Sequence, residues 1–404
     1  MFPRTLQNTI LQVSKTFPVL LLTGPRQVGK TTLLSVCDKE NRNYVTLDDL
    51  DQRNLALTDP ALFFQTHKPP LIIDEVQYAP QLFSYIKIIA DKEKQNGLFW
   101  LTGSQKFHLM KGITESLAGR VAILDLLGLS QKEIAGKAQQ PFLPSSEWID
   151  NAAKGAISVT LDEVYKRIWQ GSFPALWNNP DMSREIFYNS YLQTYIERDV
   201  KDMLRVGNEL AFYNFIRAVA ARTGQLLNYA DLARDVDVDQ KTAKSWLSVL
   251  EASGIIKLLE PYHSNLTKRI IKTPKLYFLD TGLAAFLTGW DSPTSLEAGA
   301  MNGAMLESYV FGELLKGYWH NGRYPNLYFY RDADQKEVDF VFEQNMMLYP
   351  VEVKKSATPS LANVKNFDVL KRLNKDIGHG AVICLREGHI PLSQDVAAIN
   401  IGYL

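Results

Sequence analysis

Short apolar runs and longer amphipathic stretches alternate along the first third of the chain. The apolar runs are too short for helices and suit strands that are buried on both faces of a sheet. They lie at 18–22, 43–47, 70–73, 98–102 and 121–124. The alternation predicts an α/β domain over residues 1–135, with a mostly parallel sheet covered by helices on both faces.

The pattern changes after this first domain. Residues 136–158 are polar and contain prolines, which is typical of an irregular connection. Helical periodicity with several aromatic residues then extends over 160–205. We therefore interpret 136–205 as a linker and a helical segment.

Residues 206–290 show the element order of a winged helix-turn-helix. Asp239 is the predicted N-cap of its third helix, and Gly254 is predicted to end that helix. A basic hairpin between two predicted strands corresponds to the wing. The three helices are predicted at 210–222, 229–235 and 240–252, and the two strands at 255–259 and 275–279.

A further region of mixed helices and strands covers 295–404. Its first element is a predicted helix at 304–318, which precedes three strand-like runs. The later elements are predicted as strands at 327–330, 338–342 and 348–353, a helix near 361–373 and a strand at 380–385. The whole chain therefore belongs to the α/β class, with a helical middle region.

Composition limits the function without selecting one. A chain of 404 residues is long enough for about two to four domains. Lys and Arg total 44 and Asp and Glu total 44, so a surface for nucleic acid must be local. Two distant cysteines fit a reducing compartment, and no apolar run reaches the length of a membrane span. We expect a cytoplasmic protein that does not contact a membrane.

Residues 24–31 have the spacing of a phosphate-binding loop, between an apolar strand-like run and a predicted helix. Its backbone N–H groups are predicted to hold phosphates, with Lys30 at the outer phosphates and Thr31 as a ligand of magnesium. The sequence thus predicts that ATP and Mg²⁺ bind at Gly24, Pro25, Arg26, Gln27, Val28, Gly29, Lys30, Thr31 and Thr32.

Four further residues complete the predicted nucleotide site. Asp74 and Glu75 end an apolar strand, so Asp74 is predicted to hold the magnesium ion and Glu75 to polarise the attacking water. Ser104 follows the next strand and is predicted to sense the γ-phosphate or orient the water, with a simple turn as the alternative. Arg120 is a candidate phosphate sensor or arginine finger, in its own chain or from a neighbouring subunit; a solvated arginine is the alternative.

A second group of charged residues lies in the C-terminal region. Asp339 and Glu352 lie on neighbouring predicted strands, and Glu352 and Lys354 share one face of theirs because they are two residues apart. Glu307 on the preceding helix is a further candidate ligand. This set predicts a site for Mg²⁺ or Mn²⁺ at which Lys354 assists attack on a phosphate. The alternative is a half-exposed sheet with a solvated Glu352–Lys354 pair.

Basic residues in the middle region predict DNA as a partner. Lys241 and Lys244 lie on the predicted recognition helix, where they would contact phosphates. The predicted wing carries Lys268, Arg269, Lys272 and Lys275. A winged helix that packs within the protein or contacts a protein partner is the alternative.

Taken together, these motifs resemble the prokaryotic AAA-type ATPases that carry a C-terminal DUF4143 region. The resemblance covers nearly the whole chain and implies an ATPase domain, a winged-helix middle and a C-terminal domain similar to the PD-(D/E)xK nuclease fold. Asp339, Glu352 and Lys354 fill the positions of the nuclease motif and Glu307 that of its helical acid, although Val338 stands where the motif has proline. The matching segments are 23–33, 71–77, 101–104, 116–120, 195–200, 337–340 and 351–354.

Two functions are compatible with these residues. The first is an ATP-dependent enzyme that binds DNA through the winged helix and cuts it at the C-terminal metal site. The second is a nucleotide-dependent switch that binds DNA or a protein without nuclease chemistry. A nucleotide kinase is disfavoured because the sequence has no recognisable lid. The sequence leaves the oligomeric state open, and a homo-oligomer is one of the alternatives.

Overall fold

The structure is a computed structural model, which describes residues 1–104, 116–157, 159–195, 209–263 and 273–404. The α-helices of these residues are α1 (Leu6–Val13), α2 (Lys30–Cys37), α3 (Leu50–Thr58), α4 (Pro60–Thr66), α5 (Leu82–Glu93), α6 (Gln131–Ile134), α7 (Ser146–Lys154), α8 (Leu161–Gln170), α9 (Pro174–Asn178), α10 (Arg184–Tyr195), α11 (Glu209–Ala220), α12 (Tyr229–Asp235), α13 (Gln240–Ala252), α14 (Thr281–Leu287), α15 (Pro293–Ala298) and α16 (Asn302–Trp319).

The strands form three sheets. They are β1 (Val19–Thr23), β2 (Asn43–Thr46), β3 (Leu71–Asp74), β4 (Phe99–Gly103), β5 (Val121–Asp125), β6 (Gln225–Leu226), β7 (Ile256–Leu259), β8 (Lys275–Phe278), β9 (Leu327–Arg331), β10 (Glu337–Gln344), β11 (Met347–Val353), β12 (Asp376–Ile377), β13 (Gly380–Cys384), β14 (His389–Ser393) and β15 (Val396–Asn400). Short 3₁₀ helices occur at Val76–Tyr78 and Ile401–Tyr403, and a longer one at Leu361–Leu373.

The N-terminal sheet has the strand order β2-β3-β4-β1-β5, and its paired strands run parallel. Strands β1, β3 and β4 are buried along their whole length. Their side chains pack on both faces of the sheet, in two separate hydrophobic clusters. This observation confirms the predicted α/β class and the mostly parallel sheet, because strands buried on both faces need continuous apolar runs.

The predicted irregular connection at 136–158 contains a helix, so that prediction was wrong in part. Helix α7 begins after Ser145, whose side chain accepts a hydrogen bond from the Trp148 N–H. Phe142 and Ile149 are buried there in the main hydrophobic cluster. The apolar positions are too widely spaced to stand out from the surrounding polar residues, which is why the pattern suggested a linker.

The middle region places three helices beside a small sheet. Helices α12 and α13 have the bounds that the sequence predicted, and α11 agrees within two residues at each end. Asp239 caps α13 by accepting hydrogen bonds from the N–H groups of Lys241 and Thr242. Strands β6, β8 and β7 form the sheet in that order. The predicted wing residues Lys268, Arg269 and Lys272 lie outside the described residues, as does the motif segment 196–200.

The C-terminal region is a mixed seven-stranded sheet with helix α16 beside it. The main strand order is β14-β15-β13-β11-β10-β9, and β12 pairs with β11. Strands β10 and β11, which were predicted to be neighbours, form an antiparallel hairpin with Phe340 opposite Val351. The helix predicted near 361–373 is of the 3₁₀ type, and strands β14 and β15 were not predicted.

Helix α16 also joins the C-terminal region to the N-terminal domain. The Leu127 N–H donates to Nε2 of His320 over 3.2 Å, and the Gln131 N–H donates to Glu313 over 3.0 Å. Lys316 donates to the Leu129 carbonyl over 3.0 Å. These buried hydrogen bonds fix the C-terminal half of α16 on the segment that follows β5.

Candidate functional sites

The predicted phosphate loop lies at the carboxyl edge of the N-terminal sheet, between β1 and α2. Its backbone has positive φ at Gly24 (+143°), Gln27 (+60°) and Gly29 (+91°). A Cβ atom at Gly24 would lie 2.0 Å from the Leu126 carbonyl oxygen, so only glycine fits that position. The loop therefore takes a compact path in front of helix α2, whose N-terminal N–H groups suit an anion.

The charged and hydroxyl side chains of the loop point to neighbouring polar groups. Nζ of Lys30 donates to the carbonyl oxygens of Gly24 over 3.0 Å and Pro25 over 2.8 Å. Thr31 Oγ1 donates to Asp74 Oδ1 over 2.7 Å. The structure thus brings together the predicted phosphate ligand and the two predicted magnesium ligands.

Two residues that the sequence analysis missed also contact Asp74. The Thr102 hydroxyl donates to Oδ1, and the Tyr44 hydroxyl donates to Oδ2 over 3.2 Å. Burial and, to a smaller extent, the charge of the nearby Asp74 raise the pKa of Tyr44 to about 12. This phenol therefore keeps its proton. The sequence shows Thr102 as a hydroxyl residue near the end of the next strand. The contact of Tyr44 with Asp74 could not be predicted without the strand order, which places β2 beside β3.

Glu75 lies beside the loop in a left-handed backbone conformation. Its N–H donates to Thr102 Oγ1 over 3.1 Å, and its carboxylate accepts a hydrogen bond from Gln77. Ser104 Oγ lies 3.5 Å from the same carboxylate, at the long limit of a hydrogen bond. Glu75 and Ser104 therefore lie together at the end of β3 and β4, as their positions in the sequence predicted.

A cleft of 520 Å³ opens over the loop and is large enough for a nucleotide. It combines a lysine, hydroxyl groups and a carboxylate, the set of groups that suits a phosphate chain with its magnesium ion. Thr194 near the end of α10 contributes one wall from the helical segment. The residues that line the cleft are Arg26, Gln27, Gly29, Lys30, Thr31, Thr32, Glu75 and Thr194.

Arg120 does not lie at this site. It directly precedes β5, and its carbonyl oxygen accepts a hydrogen bond from the N–H of Val19, the first residue of β1. Its guanidinium donates to the Asp91 carboxylate over 2.6 and 3.0 Å. The five-residue strand β5 separates it from the phosphate loop by about 16 Å. A phosphate-sensing role within its own chain is therefore wrong, whereas a role towards a neighbouring subunit stays a prediction.

Replacing Gly24 by alanine is expected to distort the loop and abolish nucleotide binding. The added methyl group would overlap the Leu126 carbonyl oxygen, and overpacking of this kind costs about 1–3 kcal/mol. Gly136→Ala is the matched control, because Gly136 has a φ of +74° but no described heavy atom near its Cβ position. Thermal unfolding and binding of a fluorescent ATP analogue measure both effects. Equal losses in the two variants would contradict the steric explanation.

The predicted C-terminal residues Asp339, Glu352 and Lys354 meet on the hairpin of β10 and β11. Lys354 Nζ lies 2.7 Å from Glu352 Oε1 and 3.9 Å from Asp339 Oδ2. The Val353 N–H donates to Asp339 Oδ2 over 2.9 Å. Both carboxylates are buried, which the alternative of a solvated ion pair did not predict.

Glu307 approaches this group from α16, but it binds two residues of β8. Its carboxylate accepts hydrogen bonds from Lys275 over 2.9 Å and from the Tyr277 hydroxyl. Lys275 also lies 2.5 Å from Glu337 and is only 3% exposed. The prediction that Lys275 contacts DNA from the wing was therefore wrong, because the ammonium group points into the protein.

We define the acid site as Glu307, Glu337, Asp339 and Glu352. Glu307, Asp339 and Glu352 are costly to ionise there. Burial and then the neighbouring Asp339 raise the pKa of Glu352 to about 8 and that of Glu307 to about 7. Burial also raises the pKa of Asp339. A nearby divalent cation would offset this cost.

The geometry allows a limited set of protein ligands for such a cation. Oε2 of Glu352 is buried without a hydrogen-bond partner among the described residues, so it is available to one. In the part of the chain that the structure describes, no three His, Cys, Asp or Glu side chains are grouped to hold a metal ion. Asp339 and Glu352 therefore fit an ion that takes its other ligands from water or substrate, as Mg²⁺ often does.

In the middle region, two of the residues that were predicted to contact DNA, Lys241 and Lys244, lie on α13. Lys244 Nζ lies 5.2 Å from the centre of the Tyr229 ring. The opposite face of the helix is anchored by Trp246, whose ring packs edge-on against Phe212 and Phe215. The helix thus has one packed face, and Lys241 is exposed to solvent.

A parallel sheet whose strand β1 leads through a phosphate loop into a helix defines a P-loop NTPase-like domain. Three family models match consecutive parts of the chain: an AAA domain over 16–135, a domain of unknown function (DUF8612) over 161–294 and a domain of unknown function (DUF4143) over 302–404. The chain therefore carries a region that matches an AAA domain and, at its C-terminal end, one that matches DUF4143, and the AAA match supports ATP hydrolase activity. These two matches confirm the resemblance to AAA-type ATPases with a C-terminal DUF4143 region.

Two relatives match almost the whole chain. Uncharacterized proteins of Mycobacterium tuberculosis (Rv2008c) and Mycobacterium bovis (Mb2031c) are each 29% identical over 387 residues, or 95% of this chain and 80% of theirs. Among solved structures, the Walker-type ATPase PABY2304 of Pyrococcus abyssi has a TM-score of 0.45 at 15% identity, covering 71% of this chain and 96% of its own. The RuvB Holliday junction branch migration motor of Thermotoga maritima has a TM-score of 0.31 at 16% identity, covering 63% and 89%.

No helix of the described residues has the length and apolar character needed to cross a membrane.

Proposed function

We propose that this protein is a Mg²⁺-dependent ATPase that acts with DNA and carries a metal-dependent nuclease centre in its C-terminal region. The observation that carries the nuclease part is the convergence of Asp339, Glu352 and Lys354 on one buried site beside a helical acid. A buried group of carboxylates with raised pKa values is more typical of a functional site than of a structural one.

At the nucleotide site, each residue has a distinct part. Lys30 and the loop N–H groups bind and orient the phosphates, while Thr31 and Asp74 hold the magnesium ion. Bound magnesium neutralises charge on the outer phosphates. Glu75 orients the attacking water, and Ser104 lies close enough to respond to the γ-phosphate through that carboxylate.

At the acid site, Asp339 and Glu352 are the proposed ligands of Mg²⁺ or Mn²⁺. A bound ion supplies Lewis-acid stabilisation of a scissile phosphate and activates water. Lys354 lies on the same side of β11 as Glu352, so its ammonium can stabilise the charge that develops on the phosphate. Glu307 shapes the site from α16 through its bonds to Lys275 and Tyr277.

The proposal that DNA is the partner rests on the middle region. The order of α11, α12, α13 and a hairpin of β7 and β8 supports a winged helix-turn-helix. Lys241 and Lys244 on α13 are suited to phosphate contacts, which carry affinity and depend on salt concentration. A homo-oligomer is also proposed, because Arg120 lies at the sheet edge opposite the phosphate loop and an arginine-finger role would require the nucleotide of a neighbouring subunit.

Asp339→Asn is expected to abolish DNA cleavage and leave ATP hydrolysis unchanged. The change removes one charged ligand but keeps the shape and a hydrogen-bond acceptor for the Val353 N–H. Losing several kcal/mol of charge stabilisation corresponds to a rate at least about 100-fold lower. Cleavage of single- and double-stranded DNA with Mg²⁺ or Mn²⁺, with and without ATP, is the measurement. Cleavage at the wild-type rate by Asp339→Asn would show that the assigned site is incorrect.

The second candidate is an ATP-dependent switch that binds DNA or a protein without cutting. It is favoured by the buried link between the phosphate loop and α16, in which Arg4 bonds the Val28 carbonyl over 2.8 Å and reaches Glu133. A wild-type protein that hydrolyses ATP and binds DNA in a nucleotide-dependent way, but cleaves neither DNA nor RNA, would establish the switch instead.

A further inference from the structure

Strand β8 of the middle region presents two residues to the acid site. Lys275 and Tyr277 are two residues apart, so they lie on the same face of the strand. Both donate hydrogen bonds to the same oxygen, Oε1 of Glu307. The ammonium of Lys275 also lies 2.5 Å from Glu337, whose other oxygen accepts a hydrogen bond from Arg331 over 3.2 Å.

Lys275 remains charged in this position. Its ammonium lies 2.9 Å from Glu307 and 2.5 Å from Glu337, and these two carboxylates offset the cost of burying its charge. A buried ammonium is stable only with such partners, and the carboxylates in turn are stable only with a cation. Lys275 is therefore a cation that belongs to the acid site although it comes from a different region of the fold.

We propose that Lys275 is a tethered cation that competes with a divalent metal ion for Glu307. This inference rests on the proposed metal site at Asp339 and Glu352. The lysine and Tyr277 engage Glu307, and the ion is held by the two hairpin carboxylates alone. Without this ammonium, Glu307 becomes available as a third carboxylate ligand. The middle region would thereby control how tightly the C-terminal site binds its metal.

Lys275→Met in the full-length protein tests the competition directly, with Mn²⁺ as the probe. Methionine keeps much of the apolar length of lysine and removes the charge. We expect Mn²⁺ to bind at least about tenfold more tightly. A neighbouring cation changes the pKa of a carboxylate by about one unit or more, and we expect its removal to change the metal affinity of that carboxylate to a similar degree. Isothermal titration calorimetry or the electron paramagnetic resonance signal of free Mn²⁺ gives the affinity. A folded Lys275→Met protein with unchanged or weaker Mn²⁺ binding would overturn the inference.

The neighbouring strand offers a matched control. Lys257 lies on β7 opposite Tyr277 and pairs over 2.7 Å with Glu251, which is not a carboxylate of the acid site. Lys257→Met removes one paired lysine from the same sheet, so its Mn²⁺ affinity is expected to equal that of the wild type. An equal gain in affinity in both variants would show a general charge effect and contradict a role for Lys275 in particular.

Two double variants cover the case in which Lys275→Met does not fold. Lys275→Met with Glu337→Gln removes both charges of that ion pair and leaves Glu307 without its lysine partner, so tighter Mn²⁺ binding is expected. Lys275→Met with Glu307→Gln removes the freed ligand, so the affinity should return to the wild-type value. If the two double variants bind Mn²⁺ equally, Glu307 is not the contested ligand.

The same titrations separate the inference from the proposed function. If wild-type protein and Asp339→Asn bind Mn²⁺ equally or not at all, the proposed metal site itself is incorrect. If wild-type binding depends on Asp339 and Lys275→Met adds no affinity, the metal site stands and only the tethered-cation inference fails.

Discussion

Lys30→Ala is expected to abolish ATP hydrolysis while the chain stays folded. The ammonium lies against the carbonyl oxygens of Gly24 and Pro25, which places it at the mouth of the phosphate loop. Bound phosphates would give it a stronger partner than these neutral carbonyls. Loss of one such electrostatic contact costs at least about 10²–10³-fold in rate. Phosphate release at saturating ATP and binding of a fluorescent ATP analogue measure the loss.

The same helix supplies a control for this experiment. Lys39 is exposed just beyond the C-terminal end of α2, whereas Lys30 begins that helix. Lys39→Ala removes the same charge from just beyond the other end of α2, far from the cleft, so full activity is expected. A Lys30→Ala protein that hydrolyses ATP at the rate of Lys39→Ala would place the nucleotide somewhere other than the 520 Å³ cleft.

The parts of the fold that the sequence predicted share a physical cause. Strands β1 and β3 are buried on both faces, so their positions appear as unbroken apolar runs. Helix α13 has an N-cap residue, Asp239, and is followed by Gly254 with positive φ, so the sequence predicted both of its ends. The phosphate loop combines both kinds of signal, because a buried strand, a glycine pattern and a helix must follow one another.

The features that were not predicted depend on contacts between distant parts of the chain. Strand β14 alternates between exposed and half-buried residues at the edge of its sheet, so it shows no apolar run. Lys275 belongs to a basic stretch in the sequence, and only the packing of β8 against α16 shows that it is buried. Arg120 is the last residue of a plausible motif, but only the register of β1 and β5 shows that it lies at the amino edge of the sheet. Local patterns carry none of this information.

A buried ion network links the phosphate loop to helix α16. Glu133 is fully buried and accepts hydrogen bonds from Arg4 over 3.1 Å and from the Thr5 N–H over 2.7 Å. The Ser130 N–H also donates to it over 3.0 Å, and Nδ1 of His320 lies 3.2 Å from its second oxygen. Arg4 continues to the carbonyls of Val28 and Leu127. Glu133 is thus the one acid among these residues that balances the buried guanidinium.

Glu133→Gln is expected to destabilise the protein by about 3–5 kcal/mol, because it leaves the charge of Arg4 buried without its partner. Denaturant unfolding measures this loss. Glu163→Gln is the matched control, since Glu163 and Glu133 each occupy the third position of a capping box, but Glu163 is exposed. Glutamine can serve in such a box, so little change is expected there. Equal losses in the two variants would assign the effect to capping instead of the buried charge.

The pH dependence of this difference tests the charge of Glu133 separately. Burial alone would raise the pKa of Glu133, but His320 and Arg4 outweigh burial and lower it. A group with a lowered pKa in the folded state stabilises the protein above its unfolded pKa of about 4.3. That stabilisation is lost as the pH falls towards the folded pKa. The stability gap between wild type and Glu133→Gln should therefore be constant near neutral pH and shrink below about pH 4.3. A gap that stays constant in acid would mean that the carboxylate charge is not what holds the phosphate loop to α16.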